Sequence, residues 1–373
     1  MSFVFWASLV LVAYAYAGYP ALLLLLARRA GRPAPREERT PTVTVVVPVH
    51  NQPEEIRMKI ENLLRLDYPR ERLTVVISSD GSDDGTDEVV RGYEDRGIRL
   101  VRSGERRGKV HAQNRAIESL GGDRGEVVVF TDASILLNEG ALRAIVRAFA
   151  DPEVGCVSSD DDVPGGGEGL YVRYEMFLRR LEGRIKTLVG VSGSFYAVRG
   201  DLVAPTDPRF TRDFLVPLSI IGKGLRVQSD PEARGRFLPA PSSGSEFRRK
   251  VRTVMRGMDV LFHNARLLDP LRDPFVAWAL LSHKVVRWLV PWAMLALFLA
   301  SFALAGRPFY RVFFALQALF YLSAAAAARP GFWASSLPGK ASLFFTVTNA
   351  AILVAWIRYL RGERAVVWEP TKR

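Results

Sequence analysis

The chain has 373 residues, a formal net charge of +12 from 51 Lys and Arg against 39 Asp and Glu, and one cysteine. That length has room for two ordinary domains, and a lone cysteine excludes an intrachain disulfide, in keeping with a reducing compartment; Cys156 reads as a core residue. The basic residues crowd beside apolar segments, where anionic headgroups and topology account for them, so a nucleic-acid partner is not expected.

Residues 1–27 contain no Lys, Arg, Asp or Glu, and a stretch of this length is what a helix needs to cross a hydrocarbon core about 30 Å thick. It is too long for a signal-peptide core and no small-residue cleavage site precedes the basic cluster, so a retained membrane anchor is expected. A basic linker, 28–41, follows with Arg28, Arg29, Arg32, Arg36 and Arg39. The positive-inside rule then predicts that the next segment is cytoplasmic and that the chain is a multi-pass protein of the cell membrane.

Between Thr42 and Val157 apolar β-branched runs alternate with amphipathic segments. Strands are predicted at Val43 to Pro48, Leu73 to Ser78, Ile98 to Val101, up to Thr131, and Val154 to Ser158. Helices are predicted at Glu54 to Leu66, Thr86 to Tyr93, near Gly108 to Leu120 and near Glu139 to Ala150. This rhythm predicts a Rossmann-like α/β domain over 42–256, with a mostly parallel sheet covered by helices on both faces. Two strands run into acidic loops, Ser79-Asp80-Gly81-Ser82-Asp83-Asp84-Gly85-Thr86 and Thr131-Asp132-Ala133-Ser134. Carboxylates at the carboxyl ends of parallel strands lie where open α/β sheets bind ligands, and Asp suits a metal ion or a ribose hydroxyl there. A nucleotide site is the expectation.

Asp161 to Gly169, rich in Asp and Gly, predicts a loop, and residues 170–188 an amphipathic helix. Residues 257–287 have the pattern of a membrane-surface segment, and 288–360 contain three apolar stretches, Trp288 to Gly306, Val312 to Ala328 and Ala341 to Ile357. With the first segment these make four spans, after which a basic tail, 361–373, follows. Four full spans return the C terminus to the outside, whereas Arg358, Arg361, Arg364, Lys372 and Arg373 favour the cytoplasm. Either one stretch is re-entrant or interfacial, or Phe275 to Lys284 also enters the bilayer, or the charge bias is overridden.

From Val43-Thr44-Val45-Val46-Val47-Pro48-Val49-His50-Asn51 through Arg256-Gly257 the ordered motifs resemble the family 2 glycosyltransferases, membrane-embedded inverting enzymes with the nucleotide-sugar-binding fold called GT-A. The resemblance implies that Pro48, His50 and Asp80 line a nucleoside pocket. It implies that Lys109, in Gly108-Lys109 at a helix start, meets the diphosphate, where free backbone donors also favour an anion. Thr131-Asp132-Ala133-Ser134 stands in the place of the family's Asp-x-Asp, so Asp132 and Ser134 are expected to hold Mg²⁺ or Mn²⁺ on the diphosphate, with a neutral hydroxyl as the second ligand. Gly190, Ser192 and Gly193 correspond to the turn beside the sugar and acceptor.

Asp213 corresponds to the general base, with Arg212 in place of its acidic neighbour, an adjacent cation that could weaken a base. Arg252 falls on the Arg of Gln-x-x-Arg-Trp and is expected to clamp the departing diphosphate. Arg249 replaces the Gln and Thr253 the Trp of processive members. The implied activity is inverting transfer of a sugar from a nucleotide diphosphate sugar, UDP-linked by expectation, to a hydroxyl of a lipid-linked or glycan acceptor at the membrane. The alternatives are a processive polysaccharide synthase that extrudes a β-linked polymer, and an inactive scaffold that binds nucleotide sugar.

Overall fold

A computed structural model describes residues 1–30, 37–162, 166–238 and 244–364. Eight strands form one sheet: β1 Val43–Val49, β2 Leu73–Asp80, β3 Ile98–Ser103, β4 Val127–Thr131, β5 Ile135–Leu137, β6 Val154–Asp162, β7 Phe195–Arg199 and β8 Arg226–Phe237, in the order β3-β2-β1-β4-β7-β6-β8-β5. The helices are α1 Ser2–Arg29, α2 Pro53–Leu64, α3 Thr86–Arg91, α4 Lys109–Leu120, α5 Ala141–Arg147, α6 Gly166–Ile185, α7 Arg212–Gly222, α8 Gly244–His263, α9 Pro274–Ala303, α10 Pro308–Ala327 and α11 Leu337–Leu360.

β1 is buried at every position, as a β-branched run covered on both faces must be. It pairs in parallel with β2 and β4, and β2 with β3. Beyond β4 the sheet is mixed: β7 lies antiparallel between β4 and β6, β8 runs parallel to β6, and β5 is antiparallel at the edge. Each parallel strand returns through a helix, and α2 begins with Pro53 and acidic residues in its first turn, which suit a helix N-terminus. Its Ile56, Ile60 and Leu63 face the same cluster as Val45 and Val47. On the other face Val46, Val128 and Phe130 share a cluster with Leu218, Met258, Leu280, Trp288 and Ile352. The core of the α/β domain therefore continues into the long apolar helices.

Several boundaries differ from the sequence expectation. Strand β6 runs on to Asp162 and α6 starts at Gly166, so the expected loop at 161–169 is confined to a few residues, of which 163–165 lie outside the described ones. Parts of the basic linker, with Arg32 and Arg36, and of the basic tail also lie outside them. The expected domain border at 256/257 falls inside α8, because Val251, Met255, Met258 and Leu261 form one buried stripe across it. The expected surface segment and first apolar stretch likewise merge: α9 is one helix of 30 residues that includes Phe275 to Lys284, relaxed by a π-helical turn at Leu281–Val286. Four helices, α1, α9, α10 and α11, are long and apolar enough to cross a membrane.

Near its start α1 places Phe5 against Leu297, Ala300 and Tyr310, and further along it Tyr19 donates to Glu182 of α6 at 2.7 Å. One end of α1 thus packs among apolar helices and the other meets the α/β domain. Helix α11 keeps step with α8: Lys250 Nζ lies 4.2 Å from the Phe344 ring, Val251 and Met255 share a cluster with Ala351 and Ala355, and the Phe262 and Tyr359 rings are 5.8 Å apart. Small residues in α11 let the two backbones approach.

Candidate active site

A cavity of about 470 Å³ opens at the carboxyl ends of β1 and β4 and brings together Pro48, Lys109, Asp132, Ser134, Gly190, Ser192, Gly193, Asp213 and Arg252. The sequence expectation gathered these from six separate segments. His50 and Asp80 do not line it. The Asp80 carboxylate is fully buried and accepts from the backbone N–H of Arg107 at 2.9 Å and of Gly108 at 2.7 Å. The Asp80 carbonyl lies 2.9 Å from His50 Nδ1. Here Asp80 orients the loop that delivers Lys109 by accepting from the two amides just before the helix. Gly81 allows the turn: φ is +66° and a Cβ would sit 2.7 Å from the Arg106 backbone nitrogen, a position only glycine takes without strain.

Lys109 Nζ is 2.5 Å from Asp132 Oδ1 and donates to the Gly193 carbonyl at 3.0 Å. One ammonium therefore joins the acidic loop to the turn at Gly193. Beneath the acidic loop lies Lys59, fully buried, with Nζ donating to Thr131 Oγ1 at 2.9 Å and to the Ile135 carbonyl at 2.7 Å. Burial pulls its pKa down to about 7, against the opposing pull of Asp132. The sequence reading missed Lys59; it sits in α2 on the face of Ile56 and Ile60, and a lysine on an apolar stripe was the available signal.

Asp213 is in the first turn of α7, after Thr211, whose hydroxyl donates to Asp213 Oδ1. A Cβ added at Gly193 would overlap Asp213 Oδ2, so glycine there is what lets the carboxylate lie against the turn. Arg212 turns away from Asp213. It donates to Asn114 Oδ1 and to the Ala204 carbonyl at 3.1 Å, and stacks over Phe130 with 5.2 Å to the ring centroid. An inward-facing Arg212 leaves Asp213 without the adjacent cation that the sequence order suggested.

The turn itself is held by a residue the sequence reading took for loop. Asp161, at the end of β6, accepts from Ser159 at 2.6 Å, from Ser194 at 2.6 Å and from Ser192. Burial pushes the Asp161 carboxyl up from the ordinary range, opposed by these three hydroxyls. Ser194 also fixes the acidic loop, since its carbonyl accepts from the Asp132 N–H at 2.9 Å.

For a divalent metal the protein offers little: among the described residues no group of three or more His, Cys, Asp or Glu is placed to hold one. Asp132 and Ser134 nevertheless line one cavity beside a lysine. That set fits an ion that takes most of its ligands from a diphosphate and water, as Mg²⁺ does.

A mixed sheet with acidic loops at its strand ends, opening on a cavity lined by Asp132 and Asp213 together with several cations, defines a nucleotide-sugar transferase fold of the GT-A type. Residues 44–200 match the family model Glycosyl transferase family 2. This stretch is a glycosyl transferase family 2 domain.

It is 27% identical over 237 residues to poly-beta-1,6-N-acetyl-D-glucosamine synthase of Staphylococcus aureus, covering 60% of this chain and 56% of that protein. It is 26% identical over 174 residues to glycosyltransferase AglE of Haloferax volcanii, covering 45% and 56%. The chain thus spans little more than half the length of these curated relatives. Its fold is similar to that of a mannosyltransferase, PcManGT of Pyrobaculum calidifontis, solved with GDP-Man and Mn²⁺: TM-score 0.75, 25% identity, with 97% of this chain and 100% of that one covered.

Proposed function

We propose that the chain is a membrane-associated inverting glycosyltransferase that moves one sugar at a time from a nucleoside diphosphate sugar to a hydroxyl of a lipid-linked or glycan acceptor, with its catalytic domain cytoplasmic. The observation that carries this reading is the placement of Asp213 against Gly193, whose carbonyl is bonded to the same Lys109 that pairs with Asp132. Base, sugar-side turn and diphosphate-side groups then form one connected unit.

In this mechanism Asp213 takes the proton of the acceptor hydroxyl as that oxygen attacks the anomeric carbon from the face opposite the diphosphate. Thr211 orients the carboxylate. Lys109 and Arg252 offset the charge that develops on the leaving diphosphate. A Mg²⁺ or Mn²⁺ ion at Asp132 and Ser134 would supply further charge neutralisation of the diphosphate. Pro48 would lie beside the nucleoside, with His50 and Asp80 supporting its loop from behind.

UDP is the proposed nucleotide, and the N-acetylglucosamine in the staphylococcal relative's name makes a UDP-linked N-acetylhexosamine the first donor to assay. The end-to-end likeness to a mannosyltransferase makes GDP-mannose the second. Purified chain in neutral detergent, given each donor in turn with Mn²⁺, should release nucleoside diphosphate only with the cognate sugar. No release with any donor would favour the inactive scaffold.

The processive reading has an observation behind it, the polymer in the name of the staphylococcal relatives. Against it stands Thr253 on the cavity wall, at the position where the resemblance places the Trp of processive members. With limiting acceptor and excess donor, products should lengthen together by one or a few sugars. Long chains formed while most acceptor remains unused would establish the synthase reading instead.

A further inference from the structure

Among the described residues the cavity is lined by six cations, Lys109, Arg179, Arg249, Arg252, Arg256 and Lys284, against two carboxylates, Asp132 and Asp213. A donor diphosphate engages the Lys109 and Arg252 side in the reading above. Lys284 and Arg179 stand elsewhere. Lys284 lies on the π-helical turn of α9, and a Cβ on Gly190 would be 3.7 Å from its Nζ. Lys109 holds the turn at Gly193, so the two ammonium groups flank the turn at ends three residues apart, up to about 10 Å along the chain.

Lys284 Nζ has no hydrogen bond among the described residues; its contact is the Phe214 ring, 5.4 Å to the centroid. Arg179 has Nε 3.7 Å from Glu175 Oε1 and a buried Nη1 with no partner. Nearby anions are already committed. Glu175 binds Arg287 Nη1 at 2.8 Å and His283 Nε2 at 2.9 Å, and Glu182 binds His283 Nδ1 at 2.6 Å. Arg179 also interacts with the carboxylates of Asp160 and Asp161, so what Arg179 Nη1 and Lys284 Nζ lack is a hydrogen-bond acceptor. A cationic donor at a cavity wall without an acceptor is a place where a ligand oxygen is favoured.

We propose that Lys284 and Arg179 form a subsite for the phosphate group of a lipid-linked acceptor, distinct from the donor-diphosphate site at Lys109 and Asp132. A phosphate supplies the acceptors that a free ammonium and a guanidinium edge lack, in charge-assisted bonds. The wall bearing Lys284 also carries Trp288, one turn further along a helix long and apolar enough to cross a membrane, and Tyr171 closes the same cavity. A phosphate at this level has lipid chain-compatible surface beside it. This assignment rests on the transferase reading and names its acceptor class.

The test uses the full chain in dodecyl maltoside, titrated with dodecyl phosphate and followed by tryptophan fluorescence, with UDP titrated in parallel. Lys284→Gln and Arg179→Gln should each weaken dodecyl phosphate about tenfold or more, the scale of a lost charge-assisted bond, and leave UDP affinity within about twofold. Lys284→Arg should keep most of the affinity, and its thermal midpoint controls for folding. Unchanged dodecyl phosphate binding in both Gln variants, or a parallel loss of UDP binding, overturns the subsite. Inorganic phosphate should bind far more weakly than dodecyl phosphate; equal binding would overturn the lipid source and point to a soluble phosphate. Donor-dependent release of nucleoside diphosphate by the same preparation tests the transferase reading independently.

Discussion

Asp213 and Lys59 are each defined by a neighbour, one by a missing Cβ and the other by a buried carbonyl. For Asp213 the neighbour is Gly193, and Asp213→Asn keeps the shape against that turn while losing the ability to take a proton. Turnover should fall by about 10²–10⁴-fold with UDP affinity nearly intact, as expected for removal of a general base; turnover within a few-fold of the parent rules the assignment out. Lys59 makes a pH prediction. Its folded pKa, about 7, lies below its ordinary value, so between pH 7 and the unfolded value the unfolded chain binds the extra proton and stability rises with pH. The slope is about 1.4 kcal/mol per pH unit for one group, and it vanishes below the folded pKa, where both states are protonated. Thermal midpoints of the parent and Lys59→Met should therefore draw apart across that window, and parallel curves would show that the ammonium is not desolvated. Legibility at this scale was divided: Asp132 could be singled out as a carboxylate at the end of a strand, whereas Lys109 and Asp213 became candidates only through the family resemblance. Asp161 was not singled out, because three consecutive aspartates followed by Pro and glycines read as loop, and only long-range pairing with Ser192 and Ser194 gives one of them a buried task.

The parallel strands β1 to β4 could be read directly, since runs such as Val43 to Val47 and Val127 to Phe130 have no stable place except inside a covered sheet. Strands β5, β7 and β8 could not. Three residues make β5, and β8 contains Pro231, Glu232, Arg234 and Gly235, whose strand state depends on partners distant in sequence, β6 and β5. The site's second half lies on this side of the sheet, because β6 carries Asp161 next to its last residue and β7 begins just after the Gly190 to Ser194 turn. Asp161→Ala removes the acceptor of three hydroxyls, two of them on that turn. Leaving such groups unpaired costs about 1–3 kcal/mol each, and the turn should lose its fixed distance to Asp213. The expected result is a lower thermal midpoint and a fall in turnover of about tenfold, with Asp161→Asn intermediate because the amide oxygen still accepts. Full activity in Asp161→Ala would mean that backbone pairing alone sets the turn.

At the scale of the whole molecule the open question from the sequence was parity: four apolar helices and a basic C terminus that prefers the side of the basic linker. Helix α11 removes the conflict if it lies along the membrane face of the catalytic domain. It follows α8 from Phe344 to Tyr359, meets α9 near its catalytic-domain end through Ile352 and Trp356, whose indole nitrogen donates to the Trp288 carbonyl at 2.9 Å, and ends with Arg364 3.2 Å from Asp259 of α8. This ion pair, half-exposed on the Arg364 side, places the last described residue on the catalytic-domain side. The sequence could not reveal this, since an apolar stretch of this length satisfies a bilayer or a hydrophobic platform equally well. The predicted topology has three crossings, α1, α9 and α10, with α11 interfacial and both the catalytic domain and Arg364 on the cytoplasmic side. In sealed inverted vesicles of Cys156→Ala, a cysteine placed at Glu363 and one placed at the exposed Glu118 should both react with a membrane-impermeant maleimide, whereas one placed at Gly306, between α9 and α10, should react only after the vesicles are opened. Protection at 363 together with reaction at 118 would restore α11 as a fourth span, and protection at 118 would overturn the cytoplasmic placement of the catalytic domain.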